Sequence, residues 1–240
     1  MDLIKINEEW LKLPLKRDDK TLYNKDKIIL IQQFFKHSDN FRNKEICYCL
    51  KKNYENDYID EIILLNERIY SEDEIGFKDE LSKIKQININ TRLTYKIVID
   101  YVKQNNLIGY IIISNSDIYL DNSIKNIFST SLFLGKCWYA QLRYEAYTKK
   151  IWENGKIGWS QDTWIYHTNC SLKNTDSIDF TLGRLGCDNV IALELIKNGI
   201  YIFNDPNYIK TWHLHKTENR DYKREDTLKP PWLIIEPVDI

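Results

Sequence analysis

The chain has 240 residues, and its 34 basic and 35 acidic side chains give a formal charge of -1. A chain of this length can bury one sizeable core, and its balanced charge lacks the strongly basic face of a dedicated nucleic-acid-binding protein. No apolar run approaches the roughly 18 residues that a membrane span requires, and the N-terminus has no hydrophobic signal region. Five scattered cysteines without zinc-finger spacing indicate reduced thiols. We therefore expect one soluble, cytoplasmic domain over residues 1–240, with no nucleic-acid partner and no membrane span.

The first half of the chain alternates short apolar strands with helices. Strands are predicted at residues 27–35, 58–65, 84–89 and 109–113. One helix, capped by Ser38 or Asp39, is predicted to run to about Asn53, and another is capped by Asn90 or Thr91. This alternation is typical of βαβ units on a mostly parallel sheet, and so of an α/β fold.

Polar side chains stand where three of these strands end. They are Gln33 beside Phe34, Asn66 beside Glu67, and the segment Asn115–Asp117. Ligands of such sheets bind at the carboxyl ends of the strands, so we expect these groups to line one crevice. The ring of Phe34 could stack on a base there, or it could be part of the core.

Asp117 leaves a strongly apolar strand, and two interpretations of it are open. A carboxylate at this point can hold a divalent cation and the phosphates that the cation bridges. Alternatively, Asp117 or Asp121 caps the short helix that begins near Asn122, because aspartate is a frequent N-cap. The spacing alone favours the capping interpretation.

The second half of the chain is less regular and richer in aromatic residues. A helix is predicted over residues 188–198, and strands over residues 200–203 and 209–215. Gly199 stands just beyond the helix, where glycine commonly ends one. The last strand alternates so that His213 and His215 share a face.

Taken in order, these segments resemble the nucleotide-sugar glycosyltransferases of the GT-A fold, and more closely the small transferases of this kind encoded by large DNA viruses. The resemblance covers residues 27–215. It rests on Gln32–Phe35, Leu64–Glu67, Thr91–Tyr95, Ser114–Asp117, Ser160–Asp162, Gly186–Asn189 and His213–His215. It implies a GT-A-like fold with a Rossmann-like nucleotide-sugar half at about 25–120, an irregular, aromatic-rich acceptor half at about 121–215 and a tail at 216–240.

The resemblance also implies a metal site. In this family an Asp-x-Asp motif holds Mn²⁺ or Mg²⁺ against the sugar-nucleotide diphosphate, and a late histidine often completes the site. Asn115 and Asp117 look like a degenerate motif in which the asparagine replaces the first carboxylate. Asp117 and His215 are then the expected ligands, with His213 as the less favoured histidine. Because an amide supplies no negative charge, metal-independent binding stays open.

The nucleoside side of the site is assigned by the same resemblance. Gln33, Phe34, Asn66 and Glu67 would hold the nucleoside. Arg92, together with the N-terminal amides of the helix beside it, would face phosphate or uracil. The alternative for Arg92 is an ordinary surface position.

For the chemical step, the resemblance gives Asp188 as the base that removes the proton of the acceptor hydroxyl, with Asp162 as the second candidate. Asp188 could instead be the N-cap of its helix. Trp159 and Trp164 flank Asp162 and could bind the apolar face of a sugar, or fill the core.

The expected function is therefore a glycosyltransferase that moves a hexose or deoxyhexose from a nucleoside-diphosphate sugar, with UDP as the expected nucleotide, to a hydroxyl of a glycan or glycoprotein. No glycine-rich dinucleotide or Walker loop follows the first strand, which argues against those nucleotide-binding classes. The alternative is a catalytically inactive module of the same fold that binds glycan or nucleotide. Loss of the first acidic metal position favours that alternative, whereas Asp117, Asp162, Asp188 and His215 together argue against it.

Overall fold

The computed structural model describes residues 26–76, 82–152, 158–216 and 224–238; the start of the predicted domain and part of its predicted tail lie outside them. The strands are β1 (Ile28–Gln32), β2 (Glu61–Asn66), β3 (Ile84–Asn88), β4 (Tyr110–Ser114), β5 (Ile118–Leu120), β6 (Cys137–Leu142), β7 (Tyr144–Glu145), β8 (Gln161–His167), β9 (Tyr201–Phe203) and β10 (Thr211–His213). The α-helices are α1 (Asn40–Tyr54), α2 (Glu72–Ile75), α3 (Tyr95–Gln104) and α4 (Cys187–Lys197). Among the helices so described, none is long and apolar enough to cross a membrane.

Seven strands form the main sheet, in the order β3-β2-β1-β4-β8-β6-β9. Strands β3, β2, β1 and β4 are mutually parallel, β8 is antiparallel to both of its neighbours, and β9 is parallel to β6. Only β8 therefore runs against the others, which confirms the predicted α/β fold with a mostly parallel sheet. The second half of the chain is more regular than expected, because β6, β8 and β9 extend the sheet of the first half.

Helices cover both faces of this sheet. Ile29 and Ile31 of β1 belong to a core that includes α3 and α4, whereas Ile28 and Leu30 belong to a second core that includes α1 and the 3₁₀ helix Asn122–Ser129. Successive side chains of a strand point to opposite faces, so a strand buried on both faces must be apolar at every position. This is why β1 reads as an uninterrupted apolar run.

Helix starts agree with the sequence at α1 and differ from it at α3. The carboxylate of Asp39 accepts a hydrogen bond from the backbone N–H of Phe41 at 2.7 Å, as predicted for an N-cap. Helix α3 begins later than predicted, because Thr94 is its cap and its hydroxyl accepts from the N–H of Ile97. Asn90 has a φ of 56° and lies in the turn before the helix. The prediction that Asn90 or Thr91 caps α3 is therefore wrong.

Neither Asp117 nor Asp188, for which the sequence left both capping and a functional role open, caps a helix. Asp121 caps the 3₁₀ helix, since its carboxylate accepts from the N–H of Ser123 at 2.8 Å, and Asp117 does not. Gly186 occupies the N-cap of α4, which places Asp188 in the first turn instead. Both Asp117 and Asp188 remain available to a site.

A second sheet of three strands, β5-β10-β7, lies where β4 ends. Residue His213 of β10 pairs with Ile118 of β5 on one side and with Glu145 of β7 on the other. Because Asp117 immediately precedes β5, this small sheet brings together a carboxylate from the middle of the chain and a histidine from near its end. The sheet therefore positions the candidate site.

Gly109 lies immediately before β4, where the chain closely approaches Lys27, the residue before β1. Its φ is +133°, and a Cβ there would lie 2.3 Å from the carbonyl oxygen of Lys27, which accepts the hydrogen bond of Tyr110 at 2.8 Å. Gly199 also has a positive φ, +75°, but a Cβ there meets nothing within 4 Å. We expect Gly109→Ala to lower the free energy of unfolding by about 3 kcal/mol and Gly199→Ala by only about 1 kcal/mol, measured by urea denaturation. Equal losses would contradict the close approach at Gly109.

Candidate functional site

Asp117, His213 and His215 form a cluster beyond the carboxyl end of β4. One ligand atom from each lies within 4.8 Å of the others. Nε2 of His213 is 3.2 Å and Nδ1 of His215 is 3.6 Å from Oδ2 of Asp117. Nε2 of His215 is buried and has no hydrogen-bond partner among the described residues, so it is available to a ligand. One carboxylate and two imidazoles fit a first-row divalent cation such as Mn²⁺ better than Mg²⁺, which prefers oxygen ligands.

Arg42, from the first turn of α1, also contacts this cluster. Its guanidinium pairs with Asp117 and donates to Oε2 of Glu45 at 3.0 Å and to the carbonyl oxygen of Leu214 at 3.1 Å. Burial opposes ionisation of Asp117, but the charge of His213 and contacts from other neighbours, Arg42 included, hold the pKa of Asp117 well below its usual range. Asp117 is therefore a carboxylate at neutral pH.

Glu145 lies on the other side of His213. Its carboxylate is 3.2 Å from Nδ1 of His213, while Nε2 faces Asp117. Burial disfavours the charged ring, but Asp117 and Glu145 raise the pKa of His213 to about 9. A cation that binds Nε2 would displace a proton there, and Glu145 would keep the ring in the orientation that binds it.

Arg143 connects this region to Asp162. Its Nε donates to Oε1 of Glu145 at 3.0 Å, and its guanidinium pairs with Oδ2 of Asp162. The amide nitrogen of Asn115 donates to Oδ1 of Asp162 at 2.7 Å. A continuous chain of polar contacts thus runs from His213 to Asp162, and both oxygens of Asp162 are engaged.

Asp188 faces Asp162 from α4, and its environment differs. Burial, followed by the negative charge of Asp162, raises the pKa of Asp188 to about 8. A carboxyl group whose pKa lies near neutrality can both take up and release a proton under physiological conditions. Of the two carboxylates predicted as bases, Asp188 is thus better suited to the role.

One cavity of about 420 Å³ connects these groups. It opens at the carboxyl ends of β1 and β4, the central strands of the parallel part of the sheet. The predicted site residues that line it are Gln33, Arg92, Asn115, Asp117, Asp162, Asp188 and His215. The structure therefore brings most of the predicted site together.

Phe34 and Asn66, which were predicted to hold the nucleoside, do not line this cavity. Phe34 is 2% exposed and packs edge-on against Tyr70, with ring centroids 5.0 Å apart. Asn66 is fully buried, and its side-chain oxygen accepts from the backbone N–H of Phe34 at 2.8 Å. Phe35 lines the cavity instead, because alternate side chains point to opposite sides at the strand end.

Of the other predicted nucleoside contacts, Gln33 and Arg92 line the cavity. Gln33 uses both ends of its amide to hold the loop before α3, donating to the carbonyl of Thr91 at 3.1 Å and accepting from the N–H of Leu93 at 3.2 Å. Arg92 is half-exposed, with its guanidinium 5.3 Å from the ring of Phe35. Glu67 does not line the cavity, and its carboxylate is 3.7 Å from Nε of Arg92. Because α3 begins at Tyr95, three residues after Arg92, Arg92 is not at the N-terminus of this helix.

Sequence reasoning missed Arg42, Arg143 and Glu145, and it ranked His213 below His215. The alternation of the last strand was a signal for His213, since it placed both histidines on one face. No local pattern distinguishes the other three from surface charges. Of the two tryptophans near Asp162, Trp164 is 1% exposed and lies in the core, whereas Trp159 lines the cavity.

Comparisons with solved structures identify proteins of the same architecture. A mannosyltransferase from Pyrobaculum calidifontis, solved with GDP-Man and Mn²⁺, has a TM-score of 0.52 at 11% identity, over 90% of this chain and 64% of its own. GalNAc-T7, solved with UDP, GalNAc and Mn²⁺, has a TM-score of 0.55 at 10% identity, over 80% of this chain and 44% of its own. S. aureus TarS 1–349, solved with UDP-GlcNAc, has a TM-score of 0.52 at 11% identity, over 81% of this chain and 60% of its own.

The chain has the GT-A fold. It spans less than two thirds of the length of each of these three proteins, and at 10–11% identity the likeness concerns the fold alone. No protein-family model matches the sequence, and no curated protein matches it significantly.

The contact between Glu145 and His213 generates a prediction about metal affinity. Glu145→Gln keeps the size of the side chain but removes the charge that orients His213, so we expect Mn²⁺ affinity to fall by about tenfold to a hundredfold. Isothermal titration of Mn²⁺ into the protein measures this directly. Glu55→Gln, a half-exposed glutamate at the end of α1, is the matched control. Equal affinity in the two variants would show that Glu145 does not support the cluster.

The raised pKa of Asp188 generates a second prediction. The folded protein keeps this proton up to about pH 8, whereas the unfolded chain loses it at about pH 4. The proton therefore stabilises the fold at low pH, and its contribution is lost as pH rises through about 8. Asp188→Asn removes this loss. We therefore expect the variant to gain more melting temperature over the native protein at about pH 9 than at about pH 6. Asp176→Asn, at an exposed carboxylate, serves as the control. A gain independent of pH would contradict the raised pKa.

Proposed function

We propose that this protein is a glycosyltransferase that moves a hexose or deoxyhexose from a nucleoside-diphosphate sugar, with UDP as the nucleotide, to a glycan hydroxyl, assisted by Mn²⁺. The observation that carries the proposal is the cluster of Asp117, His213 and His215, placed in one cavity with Asp188, at the strand ends of a GT-A fold. The solved structures of similar fold, which contain GDP-Man or UDP with Mn²⁺, support it.

The donor would bind at the end of the cavity formed by β1 and β4. There Arg92 supplies a positive charge, and Phe35 offers a ring to the base. Asp117, His213 and His215 would hold the cation, which when bound neutralises the negative charge of the diphosphate. The predicted division into a donor half at about 25–120 and an acceptor half at about 121–215 becomes, in this proposal, the two ends of one cavity.

Asp188 would act as the base. It takes the proton of the acceptor hydroxyl while that oxygen forms a bond to the anomeric carbon from the side opposite the nucleotide. The bond from the anomeric carbon to the β-phosphate oxygen breaks, and its electron pair leaves with UDP. Arg143 and Asn115 hold Asp162 beside Asp188, where its charge keeps the proton affinity of the base high. A base in this role implies inversion at the anomeric carbon.

A second candidate function is a catalytically inactive module that binds glycan or nucleotide. The pairing of Arg42 with Asp117 favours it, because a fixed cation already neutralises the carboxylate that a metal would use. Asn115 in place of an acidic residue points the same way. The same arginine could also neutralise phosphate in an active enzyme that needs no metal.

Thermal denaturation separates these possibilities. Purified protein is heated with UDP, GDP or CDP, each with Mn²⁺ and with a chelator. We expect UDP with Mn²⁺ to raise the melting temperature, since a ligand that binds only the folded state stabilises it. Asp117→Ala should lose this shift. A shift that survives the chelator would indicate metal-independent binding, and no shift with any nucleotide at saturating concentration would contradict the proposal.

Turnover separates the enzyme from the binding module. We expect Asp188→Asn to keep the UDP shift but to release UDP from UDP-sugars about 10² to 10⁴ times more slowly than the native protein. Asp176→Asn again serves as the control, because it removes an exposed carboxylate from another part of the chain. Native protein that binds UDP-sugars without releasing UDP would support the inactive module.

A further inference from the structure

Indole rings form part of the cavity wall, beside the start of α4. Trp152, Trp159 and Trp232 all line the cavity. Asp162 and Asp188 line it as well, and neither the metal cluster nor the donor accounts for the indole rings. An apolar wall beside two carboxylates is a surface that the function proposed above leaves without a role.

Trp159 and Trp232 meet at an angle. Their ring centroids are 5.9 Å apart, and their planes are inclined by 67°. Trp232 also lies against the start of α4, because a Cβ on Gly186 would be 3.5 Å from its indole nitrogen. Trp232 is 36% exposed, so its ring still offers surface to a ligand. The two rings therefore form a corner close to Asp188, which we call the tryptophan corner.

Backbone hydrogen bonds fix the position of Trp232. The N–H of Leu228 donates to the carbonyl of Leu185 at 2.9 Å, and the N–H of Leu233 donates to the carbonyl of Asn189 at 3.1 Å. The side chain of Asn189 donates back to the carbonyl of Leu233 at 3.1 Å. The segment on both sides of Trp232 is thus held against α4, and the corner is formed before any ligand binds.

The charges near the tryptophan corner favour a neutral ligand. Arg143 is occupied by Asp162 and lies 5.2 Å from the ring of Trp152. Arg184 donates from Nε to the carbonyl of Asp226 at 2.5 Å. An anionic group would meet the carboxylate of Asp162, and it would find Arg143 already paired with that carboxylate.

We propose that the tryptophan corner binds the acceptor, and that the acceptor is a neutral saccharide whose ring lies on Trp232 with one hydroxyl directed at Asp188. The C–H face of a pyranose matches an indole ring, and its hydroxyls can donate to carboxylates, so one sugar satisfies both the apolar wall and the acidic groups. This inference rests on the proposed function and adds to it the class of acceptor and the residues that recognise it.

Isothermal titration of sugars into the protein loaded with UDP and Mn²⁺ tests the proposal. The probes are methyl glycosides of glucose, galactose, mannose and N-acetylglucosamine, with glucuronic acid and a serine- and threonine-containing peptide as contrasts. We expect at least one neutral glycoside to give a signal. Trp232→Ala should weaken its binding by about tenfold, and Trp232→Phe, which keeps a ring, should restore most of it. Trp159→Ala provides a second, independent test of the corner.

Tyr48→Ala is the matched control, because Tyr48 is an aromatic residue with 46% exposure that does not line this cavity. It should bind the glycoside like the native protein. All variants should keep the UDP shift in melting temperature, which shows that the fold and the donor end are intact. Stimulation of UDP release by the glycoside should fall with glycoside binding in Trp232→Ala and Trp159→Ala, and it should be kept in Tyr48→Ala.

The outcomes distinguish the two proposals. If the native protein does not bind UDP, the proposed function as a whole is contradicted. If UDP binds but only the anionic sugar or the peptide gives a signal, or no glycoside does, the acceptor assignment is wrong and the donor assignment stands. Equal glycoside binding by Trp232→Ala, Trp159→Ala and the native protein would show that the sugar lies elsewhere.

Discussion

The buried negative charge of Asp117 is the constraint on which the rest of the site depends. A carboxylate removed from water is costly unless cations and hydrogen bonds compensate it. Here compensation comes from Arg42, 75 residues earlier, and from His213, 96 residues later. Helix α1, the end of β4 and strand β10 must therefore meet at one point. The small sheet makes this possible, because β10 lies between β5 and β7 and aims His213 at Asp117.

From this point, charges of opposite sign alternate across the cavity. His213 lies between Asp117 and Glu145, and Arg143 lies between Glu145 and Asp162. Cations beside Asp117 and Glu145 hold the pKa of both carboxyl groups below the usual range, although burial opposes their ionisation. Asp188 comes after the series and faces another carboxylate. The same cavity therefore holds Asp117, which stays ionised, and Asp188, which can take up and release a proton near neutral pH.

This division suits a transferase. The ionised end can hold a cation and a diphosphate, while the end near Asp188 can accept a proton beside an apolar wall of indole rings. The parallel strands supply the geometry, because their carboxyl ends open the crevice where both groups meet. The low identity to solved structures of the same architecture is consistent with this, since the fold needs only apolar strands buried on two faces and helices with one apolar side.

The sequence by itself determined the parallel sheet and its strand ends. Three local signals carried this information: continuous apolar runs, N-cap residues such as Asp39, and the alternation of the last strand. They placed Asp117, Asp188 and the histidine pair near their actual positions. Only the tertiary structure decided which neighbours each charge has.

Arg42 and Arg143 look like ordinary surface cations in the sequence, and their roles arise from contacts with carboxylates far away in the chain. Phe34 and Phe35 could not be told apart either, because one residue of register decides which ring faces the core and which faces the cavity. Periodicity is a local property that the sequence carries openly. Burial and charge pairing depend on which distant segments meet, and the fold alone determines that.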